Sequence, residues 1–201
     1  MGNMIQANVK IRGTRPMLWH RFGPEAIPLE KQERTGVAGN DPEEWKRTVL
    51  FTKEGQLYIE PTYIFGCLRD ASKYTKRGRG SIMKYVQATL QVLDDRILIK
   101  DRFVPGVKDG KLPDQLTTDP DEEVYLDVRS VRNPATRGRN VRYRVAANHG
   151  WQTEFNIAWD ATIVSRGEME AVIIDGSKLC GLGDGRSIGF GRFEVEEFNV
   201  V

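Results

Sequence analysis

"CGLGDGRSIGFGRF", Cys180 to Phe193, places five glycines in fourteen residues and stops eight residues short of the end of the chain. What lies on either side of it decides the fold. Upstream, "SRGEMEAVIIDGSKL" (165–179) reads as a helix: Ser165 and Glu168 make a capping box, Met169, Val172, Ile173 and Leu179 an apolar stripe, and Gly181 stops it. Downstream, "GFGRFEVEEFNVV" (189–201) reads as a strand. The dinucleotide-binding fingerprint needs the reverse order, with a helix after the glycines to receive pyrophosphate on its N-terminus. The P-loop pattern fails as well, because Arg186 stands where lysine should precede Ser187. A helix C-cap accounts for Gly181 and Gly183. It leaves Gly189 and Gly191, which flank Phe190 at the start of a strand, where glycine weakens a sheet unless another backbone approaches closely. With Arg186 and Arg192 they suit an extended anionic chain, held by peptide N–H groups and guanidinium forks. The residues alone leave a plain turn and a polynucleotide ledge both open.

The rest of the chain supplies the other elements. "MIQANVKIR" (4–12) alternates, with Ile5, Ala7, Val9 and Ile11 on one face of a strand. "QLYIE" is a brief strand, and "TYIFGCLRDASKY" (62–74) a helix with Ile64, Leu68 and Ala71 on one face and Arg69 and Lys73 off it. "MKYVQATLQVL" (83–93) and "RILIKDRFV" (96–104) read as strands, as does "QTEFNIAWDATIV" (152–164). Strand, helix, strands, strand, helix, strand is the order of a ferredoxin-like βαββαβ core, an α+β (RRM-like) fold. We expect one domain over 1–201 with insertions at about 13–56 and about 104–150. The first insertion is punctuated by Pro and Gly; within it Asp41, Pro42 and Glu44 predict a helix start with a capping box. The second contains "EVYLDVRSVR" and "NVRYRVA" joined by "NPATRGR", a pair of strands with an arginine-rich tip. There Val141, Tyr143 and Val145 face one way and Arg142 and Arg144 the other.

A composition of 39% hydrophobic and 29% charged residues is that of a globular protein. No apolar run reaches the roughly 18 residues of a membrane span, and the start lacks the apolar stretch of a signal peptide, so a cytoplasmic protein with no membrane partner is expected. Cys67 and Cys180 are read as reduced thiols. Together with His20 and His149 they make a poor metal set, so neither a metal nor another cofactor is expected. Net charge is only +2, but its distribution is uneven: six arginines and no acid from Arg129 to Arg144, after the acidic "DPDEEVYLD" (119–127). A second basic cluster spans Lys73 to Lys84. Local stripes of this kind set the field that a phosphate backbone meets; two solvated loops are the plainer reading.

The stretch "LGDGRSIGFG" (182–191), hydrophobic, Gly, five residues, Gly, hydrophobic, Gly, resembles the C-terminal glycine-rich loop of the CRISPR-associated RAMP superfamily. In that superfamily the loop joins the second helix to the last strand of a ferredoxin-like fold and touches guide or repeat RNA. "LYIEPTYIFGCLRDASKY" (57–74), through Gly66, Leu68 and Arg69, is similar to the helix motif of the effector-backbone group, the Cas seven group. The two motifs cover about thirty residues. Where that group carries a "PLHIG"-like segment this chain has "PMLWHRFG", and the helix motif lacks its serine pair.

The resemblance implies an RNA-binding subunit of an antiviral effector complex that coats a single-stranded guide RNA as a homo-oligomer. Complementary target nucleic acid and other effector subunits are its further partners. The contacts expected are Gly183, Arg186, Ser187, Gly189, Gly191 and Arg192 at the loop, Arg69, Lys73, Lys76, Arg77 and Arg79 around the first helix, and Arg137, Arg139, Arg142 and Arg144 on the hairpin. Trp19, His20 and Arg21 would stack on or bond to bases. One alternative is a RAMP endoribonuclease that cuts repeat RNA without a metal, with His20, or else His149, as acid or base. Another is target cleavage by a loop carboxylate such as Asp41, and a fourth is a generic ferredoxin-like assembly domain.

Overall fold

The computed structural model describes residues 3–23, 41–132 and 138–201, so Arg137 lies outside the described residues. The elements in order are β1 (Met4–Gly13), β2 (Met17–Leu18), α1 (Glu44–Thr48), β3 (Gln56–Ile59), α2 (Pro61–Ala71), β4 (Lys76–Arg77), β5 (Gly80–Ser81), α3 (Met83–Thr89), β6 (Gln91–Val92), β7 (Ile97–Phe103), β8 (Val124–Arg132), β9 (Arg139–Ala147), β10 (Gln152–Asp160), α4 (Arg166–Asp175) and β11 (Phe193–Val200). They form two compact units. One is Met1–Met17, Tyr58–Asp101 and His149–Val201; the other is Leu18–Leu57 and Arg102–Asn148.

In the first unit the larger sheet runs β11-β1-β10-β7-β3, with β6 also on β10. Read through β1, α2, β7, β10, α4 and β11, this is the ferredoxin-like α+β arrangement that the sequence predicts. The alternation of β1 explains the register. Val9 faces Phe155 on β10 and Phe198 on β11, and Ala7 faces Ile157. One face is therefore apolar across three strands, and the stripes Ile64, Leu68, Ala71 of α2 and Met169, Val172, Ile173 of α4 are buried with it. Each large side chain sealed in this way contributes about 1.5–3 kcal/mol. On the opposite face Asn8 faces Asn156 and Lys10 faces Glu154. The Asn8 amide donates to Glu154 at 2.7 Å and to Asn156 at 3.1 Å, and Lys10 pairs with Glu197 at 3.2 Å. The outward residues of β1, β10 and β11 include no aromatic ring, so the surface on which RRM domains stack bases is here a carboxamide and carboxylate network.

Two local expectations are corrected. Residues 83–89, expected as a strand, are helix α3. Ile82, Val86 and Leu90, all buried, recur every four residues, a helical spacing that the β-branched content of "MKYVQATLQVL" had masked. The capping box at Asp41 does not form either. The N-cap of α1 is Glu43, and Asp41 Oδ1 instead accepts the Glu43 N–H at 2.9 Å. Glu44 is drawn away to the hairpin described below. The capping box of Ser165 and Glu168 is present on α4.

The second unit is built on the β8–β9 hairpin, whose register runs from Val124 opposite Ala147 to Arg132 opposite Arg139, in a sheet of order β2-β9-β8. Its inner half is buried through Tyr125, Leu126, Val145 and Ala146, and α1 adds Trp45. From Val128 to Ser130 the hairpin is exposed.

Candidate nucleic-acid interface

All five loop glycines have positive φ: Gly181 at 79°, Gly183 at 75°, Gly185 at 69°, Gly189 at 97° and Gly191 at 67°. After α4 the chain widens into a π turn, Gly176–Cys180, and leaves it at Gly181, whose N–H donates to the Gly176 carbonyl. The loop closes on itself where the Leu182 N–H donates to the Gly191 carbonyl at 2.9 Å, and the Gly191 N–H donates to Pro16 at 2.8 Å. A Cβ on Gly191 would lie 1.8 Å from the Leu182 carbonyl oxygen; one on Gly189 meets nothing within 4 Å. The close backbone approach expected at both glycines is thus internal at Gly191, where it forms the neck of the loop. Gly189 stands on the open tip, beside exposed Ser187 and Ile188.

The neck brings the glycine loop to the C-terminal end of α2. Arg186 reaches Asp70 at 3.4 Å, and Arg69 bonds the same carboxylate at 2.8 Å. Arg192 donates through Nη2 to the Arg186 carbonyl at 3.3 Å, while its Nη1 is buried with no partner among the described residues. The Cys180 thiol registers the cluster: burial pushes its pKa up, and Lys73, Asp70, Arg186 and Arg192 all lie close enough to act on it. Two cations, Arg69 and Arg186, thus share one carboxylate, with Lys73 and Arg192 near the Cys180 thiol. On the same helix Gly66 precedes Arg69 by three residues, so the two share a face, and Lys73 follows in the turn just after the helix. Glycine costs a helix about 1 kcal/mol relative to alanine. Apart from its own helix backbone and chain neighbours, no atom of the described residues lies within 4 Å of where its Cβ would stand.

The basic cluster after α2 folds as the β4–β5 hairpin. Arg77 is committed within the chain, to Glu168 at 2.5 Å and 2.9 Å, to the Ile163 carbonyl and over the Tyr85 ring. With the Ser165 N–H and hydroxyl it holds the Glu168 carboxyl down to about 2 against the effect of burial. Lys76 and Arg79 are exposed and take no ion-pair partner among the described residues.

The second unit carries the other arginines, and here two expectations are corrected. Trp19 has 0% exposure, so it is a core side chain and does not stack on bases. Arg144 is buried against Asp127 at 3.0 Å, with both side chains 3% exposed, because the register places Asp127 directly opposite it. Arg129 bonds the same carboxylate. Arg142, which the sheet places opposite Arg129, is held by Glu44, and so is His20, whose Nε2 lies 2.9 Å from Glu44 Oε1. Burial of Glu44 works against its charge, yet His20, the Tyr143 N–H and Arg142 outweigh it and lower its pKa to about 2. Arg21 is half-buried, its N–H given to Thr48; Arg139 is exposed opposite Arg132. His149 lies in the first unit and His20 in the second.

The residues that sequence reading missed are the carboxylates Asp70, Asp127 and Glu44, which fix the arginines. Asp127 was legible from hairpin register; Glu44 had a local role that hid its distant one. Among the described residues no group of three His, Cys, Asp or Glu side chains assembles, and no helix is long and apolar enough to cross a membrane.

No family model and no curated protein matches the chain. Among solved structures it is similar to a chain in the cryo-EM structure of the Type III-B Cmr-beta bound to cognate target RNA, at 13% identity and a TM-score of 0.44. The match covers 99% of this chain and 61% of that one, so the chain spans about three-fifths of its length.

Proposed function

We propose that the protein is a CRISPR-associated RNA-binding subunit that lays the backbone of a single-stranded guide RNA along the glycine loop and the bare face of α2. The observation that carries this is the meeting of the glycine loop and α2 at Asp70, where Arg186 and Arg69 share one carboxylate and Lys73 and Arg192 lie close to the adjoining Cys180 thiol. The two segments that resemble RAMP motifs meet at that cluster. An excess of cations over carboxylates beside a helix face left empty at Gly66 suits phosphates, which need charge and close approach rather than a pocket. Ser187 and the peptide groups at Gly189 complete the ledge. Lys76 and Arg79 extend the basic surface of the first unit, the second unit contributes exposed Arg139, and copies of the chain line the RNA beside other effector subunits.

Fluorescence anisotropy of nuclease-treated protein with labelled single-stranded RNA, across a salt series, tests this. Expected is a steep salt dependence whose slope falls by about 0.7 for each phosphate that Arg186→Ala or Lys73→Ala leaves unneutralised. No binding at moderate salt, or slopes unchanged by either substitution, overturns the reading. Sequencing of the RNA that co-purifies tests the CRISPR assignment separately: repeat-derived guides support it.

A second reading, metal-independent RNA cleavage, is favoured by the 2.9 Å contact between His20 and Glu44, a histidine oriented by a carboxylate. Repeat RNA left intact by both the wild type and His20→Ala rejects it.

A further inference from the structure

Two strand edges of opposite charge are left uncovered by the described residues. Among the described residues β11 is outermost in its sheet, pairing β1 on one side and no strand on the other. It carries Glu194, Glu196 and Glu197. Beside it a groove of about 450 Å³ lies between α4 and β11, floored by Ile173, Ile174, Val195 and Phe198, with Glu170 and Lys178 on its rim and the carboxylates in excess. β8 is likewise outermost in the smaller sheet. Its first half is covered, because the outward N–H of Leu126 donates to the Thr117 carbonyl at 2.7 Å. Backbone groups two residues apart on a strand point the same way, so Val128, Ser130 and Arg132 present the same outward edge beyond that bond. This half carries Arg129 and Arg132 and exposes Val128 at 43%.

Charged residues on an edge keep like edges apart. Two β11 edges repel through their glutamates and two β8 edges through their arginines, but β11 of one molecule and β8 of another attract. We infer that the outer half of β8 in one copy of this chain adds to β11 of a second copy as an extra strand. Side chains of the added strand then fall alternately on its two sides, Val128 and Arg132 over the groove with its apolar floor and rim carboxylate Glu170, and Arg129 beside the glutamates. The two patches differ, so the contact is heterologous and repeats from copy to copy, in keeping with growth along a polymer. The inference deepens the assembly part of the reading above, but the contact itself needs no RNA.

Analytical ultracentrifugation of the full chain, treated with nuclease and shown by its absorbance ratio to be free of RNA, tests it. Expected at low salt is a mass that rises with concentration up to roughly 100 μM, and that falls back to the monomer as salt is added. The variants Glu170→Lys and Arg132→Glu are each expected to stay monomeric alone, and to associate when mixed because each then supplies the charge that the other has inverted. Ser130→Pro removes one outward donor at an edge position, where proline is tolerated, and abolishes association while circular dichroism shows the fold retained. A wild type that is monomeric throughout overturns the proposal and leaves the groove to a basic strand of a different protein. Variants that associate as well as the wild type overturn it too. RNA binding by a monomeric wild type removes this contact without touching the proposed function.

Discussion

The Gly191 backbone lies so close to that of Leu182 that a Cβ on Gly191 would come within 1.8 Å of the Leu182 carbonyl oxygen. Two turns of backbone cross at this point, bonded from the Leu182 N–H to the Gly191 carbonyl, and everything between them is the displayed loop. Gly191 is therefore a structural requirement, whereas Gly189, with the same sign of φ and open space around it, belongs to the surface.

The two glycines are expected to part company on substitution. Gly189→Ala costs only the left-handed conformation, about 1–2 kcal/mol. Gly191→Ala adds a clash of backbone against backbone that no rotamer relieves and is expected to unfold the loop or the unit. Thermal unfolding of the two variants checks this; equal losses would show that the neck is not closed as described.

Gly66 gives the opposite pattern. Gly66→Ala is expected to raise the stability of the free protein by about 0.5–1 kcal/mol, since alanine is the better helix former and nothing is displaced. If RNA lies along that face, the same substitution weakens binding, and a larger side chain weakens it further. Denaturant unfolding and anisotropy on one preparation read both effects, and a stabilised variant with unchanged RNA affinity would clear RNA from α2.

What the sequence made legible follows from locality. The order of the ferredoxin-like core could be read because each strand and helix announces itself by its own period, and the Ser165 cap because both partners lie within one turn. The arginine-rich run could be read only as charge. That Arg144 is buried depends on which residue the sheet sets opposite it, and Asp127 lies seventeen positions away. Trp19 follows the same logic: an aromatic in a segment punctuated by Pro and Gly reads as a surface ring, and only the packed unit shows it sealed. Glu44 was read as a partner for Asp41 three residues back, while His20 and Arg142, distant in sequence, took its carboxylate. In α3 two competing periods shared one stretch, and burial of Ile82, Val86 and Leu90 chose the helix.

Arg144→Leu separates a core arginine from a binding one. Removing one member of a buried pair typically costs 3–5 kcal/mol, and because Arg129 still bonds Asp127 the lower end is expected here. RNA affinity at a temperature where the variant is folded should not change. A stable variant with reduced RNA binding would return Arg144 to the surface.

The pH dependence of the second unit rests on Glu44. Its carboxyl ionises at about 2 when folded, against an ordinary 4.5, because His20, the Tyr143 N–H and Arg142 favour the charged form over the opposing effect of burial. A group whose folded pKa is depressed binds fewer protons in the native state than in the unfolded one, so stability falls as pH falls. The contribution is fully present above about pH 4.5 and is lost progressively towards pH 2. Glu44→Gln removes the ion pairs at every pH, and so it should lower stability at pH 7 and flatten the acid dependence in that window. Urea unfolding of the two proteins from pH 7 down to pH 3 makes the comparison: parallel curves would mean that the carboxylate is not held by its three donors, and converging curves, with the wild type falling towards the variant, are expected.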